Sequence, residues 1–119
     1  MKVQLSRASV CAGDDIDAPH FKTLTFAEGT PILDVLAEVV SSGYLARIAG
    51  GRGSWSAVSG VPLAVLAQQW SLPRLLPQAS SVPALDVKDN ITRLHFNYHA
   101  QQDPEVVFEV LSELRLSAI

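Results

Sequence analysis

The clearest pattern in the chain runs from Ile91 to His99. Leu94, Phe96 and Tyr98 fall on one side, and Arg93, His95, Asn97 and His99 fall on the other. A period of two with one apolar side predicts a half-buried strand. Residues 2–11, rich in Val, Leu and Ser, read as a first strand, and Phe21 to Phe26 as a second, with Thr23 and Thr25 alternating against Leu24 and Phe26. Between them Gly13, Asp14, Asp15, Asp17 and Pro19 mark a surface turn, so the two strands are expected to pair as a hairpin. Ile32, Leu33, Leu36, Val39 and Val40 then recur at helical spacing. Thr30 is placed to cap that helix, Pro31 to occupy its first position, and Gly43 to close it.

The middle of the chain is less periodic. Gly50, Gly51 and Gly53 break it, Ser54 to Val58 reads as a strand, and Ser59-Gly60 resembles a hairpin turn before Val61 to Leu66. A helix over 62–70 competes, because Pro62 could start it and Leu63, Leu66, Ala67 and Trp70 would share a face. The hairpin is the preferred reading. Residues 71–90 carry prolines at 73, 77 and 83 and read as a long loop. Asp103 and Pro104 open a last helix as cap and first position, with Val107, Val110, Leu111 and Leu114 as its buried face. The elements predict one α+β domain over residues 1–119: a mainly antiparallel sheet packed against two helices.

Composition narrows the function classes. With 48% hydrophobic and 18% charged residues, the 119-residue chain is expected to fold as a globule with its own core. Its net charge of −3 and lack of a Lys/Arg stripe argue against direct nucleic-acid binding. The single cysteine, Cys11, excludes an internal disulfide framework and fits a reducing compartment. Met1 to Arg7 does not read as a secretory signal, and no stretch approaches a membrane span, so a cytoplasmic location is expected.

Each candidate for chemistry has a plainer reading. His95 and His99 stand on the polar side of a strand, yet four residues of strand separate their backbones by about 13 Å, too far for one shared zinc. A solvated surface or a partner contact is the simpler role for Arg93, His95, Asn97 and His99. Asp14, Asp15 and Asp17 offer oxygen ligands for a hard cation but lack the calcium-loop spacing, which leaves a solvated turn or a partner contact. Gly50-Gly51-Arg52-Gly53-Ser54 lacks the lysine of a nucleotide loop. Ser54, Ser56 and Ser59 have no nucleophile-elbow context. Cys11 reads as a small buried residue, and Trp55 and Trp70 as core. No cofactor or metal site is expected, and no catalytic residue.

One feature stands apart. Asp103, Glu105, Glu109 and Glu113 place four acids in eleven residues of the last helix without an intervening base. Like charges four apart on a helix repel by a few tenths of a kcal/mol per pair. Such a stripe either faces water or meets a basic partner, where it would speed encounter.

The segment Trp55-Ser56-Ala57-Val58-Ser59-Gly60, running through Pro62 to Trp70 in a small acidic chain, resembles bacterial immunity proteins. These are the cognate inhibitors made against contact-dependent or other polymorphic toxins. The resemblance implies stoichiometric, non-enzymatic binding of one toxin domain, a basic protein partner, in the cytosol. The element order is also similar to the ubiquitin-like β-grasp fold, which implies a binding module or adaptor. Carriers of that fold end in Gly-Gly, whereas this chain ends Leu116-Ser117-Ala118-Ile119, so a carrier role is not expected. A small enzyme is the third alternative.

Overall fold

A computed structural model describes residues 1–8, 21–45, 50–77, 79 and 85–117, with side chains through Glu113. Cys11, the Asp14–Asp15–Asp17 turn, His20 and the side chains of Leu114 and Arg115 lie outside the described residues. Among the described residues seven strands form one sheet: β1 (Lys2–Arg7), β2 (Phe21–Thr25), β3 (Ser54–Ser59), β4 (Val61–Ala67), β5 (Arg74–Leu75), β6 (Val87–Lys88) and β7 (Ile91–Tyr98). Two helices among the described residues flank it, α1 (Ile32–Ser41) and α2 (Pro104–Ser117).

The order across the sheet is β2-β1-β7-β3-β4-β5, with β6 added beside the start of β7. β1 and β2 pair antiparallel, as their hairpin reading predicts, with Val3 opposite Leu24. The central pair, β1 with β7, is parallel, and every other pairing is antiparallel. A parallel pair needs a long crossover connection, and here the chain between β1 and β7 includes every other strand and α1.

Gly60 (φ +77°) makes the tight β3–β4 turn that an L side chain would strain. Residues 61–67 are therefore strand, and the competing helix does not form. A bulge between Ala57 and Val58 absorbs the register shift that follows.

Residues 71–90 differ from the loop expected of them. Arg74 and Leu75 pair with β4, and Val87 and Lys88 pair with the start of β7. Asp89 (φ +54°) and Asn90 (φ +64°) form the turn between β6 and β7, with both central residues left-handed as the twist of a two-residue hairpin requires. Strands of two residues are too short to leave a periodic signature.

The start of α1 also departs from expectation. Pro31 (φ −60°, ψ 146°) is the extended residue before the helix, not its first turn. The Thr30 hydroxyl donates to the Ala27 carbonyl at 2.6 Å instead of capping. Asp34 in the first turn offsets the positive helix end. At the other end Gly43 (φ +75°) terminates the helix as expected.

The larger core lies on one face of the sheet. Val3 and Leu5 of β1, Leu94 and Phe96 of β7, Trp55 and Ala57 of β3 and Leu66 of β4 pack under Val35, Leu36 and Val39 of α1. Tyr44 closes it, its ring edge-on to Phe96 at 6.1 Å. Ile32 is half-buried, but Leu33 and Val40, expected inside, are 37% and 43% exposed. α1 carries apolar residues around more than half its circumference, and the sheet selects the arc centred on Val35, Leu36 and Val39.

α2 crosses the opposite face above β4. Val107 packs on Val65 and Leu76, with Trp70, Phe108 and Leu111 around them. Asp103 caps it as expected, accepting from the Glu105 amide at 2.9 Å. Val110, expected inside, is 48% exposed.

The turn from β7 into α2 contains a strained residue. Ala100 has φ +56° and an exposed side chain. Left-handed backbone costs a non-glycine residue ~1–2 kcal/mol, while glycine's freedom in the unfolded chain returns ~0.4–1 kcal/mol of that. Ala100→Gly should therefore stabilise the protein by about 0.5–1 kcal/mol in urea unfolding; a destabilised variant would show that the turn is not strained.

Candidate functional site

Arg93, His95, Asn97 and His99 share one face of the sheet, as their alternation predicts, and it is the face that carries α2. The cross-strand register places Asn97 opposite Ser56, and Ser56 opposite Val65, on which α2 rests. Toward β1 and β2 this face is open. Lys2, Gln4, Phe21, Thr23, Thr25, Arg93, His95 and Asn97 are exposed there. α2 forms a wall beside that open floor, so the two groups of candidate residues lie on the same side of the molecule.

The polar row does not converge on one atom. His95 Nδ1 is 2.8 Å from the Ser6 hydroxyl. His99 Nε2 is 2.7 Å from the Ser56 hydroxyl. The Arg93 guanidinium donates to Asp86 Oδ1 at 2.7 Å. Each imidazole thus has its own serine, and Ser56 is 2% exposed, beyond reach of a substrate. Among the described residues no group of three or more His, Cys, Asp or Glu side chains could hold a metal ion. These serine partners escaped sequence reasoning because 89 and 43 residues separate them from their histidines.

His99 sits half-buried where β7 leads into α2, and burial holds its pKa below the ordinary 6.5. The folded state therefore favours the neutral ring, and the unfolded chain takes up a proton first as pH falls. This contribution to stability is full above pH 6.5, declines as pH falls through 6.5 toward the folded pKa, and loses nothing more below it. Urea midpoints should drop over that window in the parent and flatten in His99→Gln, which keeps a group able to bond Ser56. Equal slopes in the two proteins would assign the pH response elsewhere.

The acids of α2 divide into two kinds. Glu105 accepts from Arg74 Nη1 at 2.8 Å, and that guanidinium also stacks over Trp70 at 4.1 Å and near Phe108 at 5.4 Å. This contact ties β5 to the helix, so Glu105 is already neutralised. Glu109 and Glu113 are exposed and have no ion-pair partner among the described residues. Beside them on the outer face stand Val106 and Val110, 51% and 48% exposed. Their signal was present in the sequence as a second apolar pair, offset by one residue from Val107 and Leu111.

A cavity of about 380 Å³ also opens at the end of α1, lined by Val40, Leu45, Trp55 and Leu66 among others. Its nearby polar groups are engaged: Gln68 Oε1 accepts from the Gly53 amide, and the Ser41 hydroxyl donates to the Glu38 carbonyl. No described helix is long and apolar enough to cross a membrane.

Comparison with protein families, curated proteins and solved structures yields no match for this chain.

Proposed function

We propose that this chain is an immunity-type protein, a non-enzymatic inhibitor that binds a toxin domain with a basic surface one to one in the cytosol. The observation that carries the reading is the outer face of α2. Among the described residues Glu109 and Glu113 have no ion-pair partner there, beside two exposed valines, on a helix whose other acid is already matched by Arg74. Two adjacent exposed valines flanked by acids offer apolar contact together with charge that can select a partner. The open polar row of Arg93, His95 and Asn97 lies beside it as an accessory surface.

The test is growth rescue. Expression of the polypeptide encoded next to this chain should arrest growth, and co-expression of this chain should restore it. Glu109→Lys with Glu113→Lys should slow association with that polypeptide about tenfold at low salt and reduce its salt dependence. Rescue and association rate both unaffected by charge reversal would remove α2 from the interface.

The element order, similar to that of the β-grasp fold, favours a second reading, a binding module or adaptor outside any toxin system. Tight binding of one partner without growth rescue would select it.

A further inference from the structure

We infer that the outer face of α2 seats an amphipathic helix of the partner, with an apolar stripe flanked by Lys or Arg. The inference rests on the inhibitor reading above and specifies what kind of element that partner presents.

Val106, Glu109, Val110 and Glu113 stand at i, i+3, i+4 and i+7, so they lie on one face of α2. They span about 10 Å along the helix axis at ~1.5 Å per residue, the length of two turns of a facing helix. The inner face is satisfied by Val65, Leu76 and Trp70, so these four residues make no contribution to the core. Val106 and Val110 are half-exposed and adjacent, with an acid beside each.

The occupant follows from what this surface can and cannot supply. Within a helix the backbone groups are already hydrogen bonded, so an extended strand docking here would gain no main-chain bonds and would leave its own exposed. A helix satisfies its own backbone and needs only an apolar stripe matched to the valines. A second copy of this chain would bring Glu109 and Glu113 against the same acids, a like-charge contact that disfavours it. Charge complementarity therefore selects a different protein whose helix carries bases beside its apolar stripe.

The probe is a peptide of about 18 residues, long enough to become helical on binding, with leucines at i, i+4 and i+7 flanked by lysines. A scrambled peptide of the same composition is the control. Amide shifts in the protein should change along 105–113, and the ordered peptide should bind about tenfold more tightly than the scrambled one. Val106→Ser with Val110→Ser, and separately the shape-preserving Glu109→Gln with Glu113→Gln, should each weaken it about tenfold. All four positions are exposed, so the circular dichroism spectrum should match the parent. Equal binding of the scrambled peptide, or shifts on the β7 row in place of α2, would overturn the inference. Loss of binding in the glutamine pair but not the serine pair would also overturn it, while leaving the basic partner in place. The inhibitor reading falls separately, through failure of the parent chain to restore growth.

Discussion

Replacing Phe96 with alanine should leave the protein largely unfolded in mild denaturant. The ring is fully buried on β7, flanked in register by Arg7 of β1 and Ala57 of β3. Tyr44 packs edge-on against it. Alanine opposite the ring on β3 leaves the space that the phenyl group fills. Hydrogen-bonded strands on both sides prevent the sheet from closing over the void. Phe→Ala in such a site costs ~3–5 kcal/mol, against a total stability on the order of 5–15 kcal/mol for a domain of this size. Phe21, 72% exposed on the edge strand β2, supplies the contrast, since its alanine variant should stay within about 0.5 kcal/mol of the parent. Urea unfolding followed by Trp55 fluorescence reads both. A Phe96→Ala midpoint equal to that of Phe21→Ala would refute the placement of the core.

The second large effect is selective. Val107 is 5% exposed between Val65 and Leu76, and Val107→Asp would place a carboxylate there, where the Arg74 guanidinium at the cluster's edge is already paired with Glu105. An uncompensated buried charge costs ~3–5 kcal/mol, enough to undock α2. A helix of 14 residues released from its packing is marginal in water, so it should melt. The larger core includes no residue of α2, and β1, β7 and α1 should keep their structure. Circular dichroism should lose one helix, while amide exchange in β1 and β7 stays slow. Loss of protection throughout the sheet would mean that the two clusters form one cooperative unit. Growth rescue should disappear with α2 even though the sheet persists.

Particular elements show why some of this was legible in advance. The alternation of 91–98 and the Asp103-Pro104 start of α2 are local signals, and each appears where it was expected. So does the Ser59-Gly60 turn, because only a left-handed glycine closes β3 onto β4 so tightly. The inward faces of the helices were less legible. Ile32, Leu33, Val35, Leu36, Val39 and Val40 cover too wide an arc of α1 to name a centre, and Val106 and Val107 compete in the same way on α2. Arg74 was missed as the partner of Glu105 because 31 residues separate them and β5 is two residues long.

The amino-acid order by itself determined the α+β class, most strand and helix positions, the polar row of β7 and the acids of α2. These depend on side-chain period and turn chemistry, which act within a few residues. The fold in space decided that β1 and β7 pair in parallel, that His95 and His99 each meet a serine from another strand, and that Glu105 is neutralised while Glu109 and Glu113 find no ion-pair partner among the described residues. Those outcomes depend on which distant segments pack together, and packing is chosen by the whole core rather than by any local stretch.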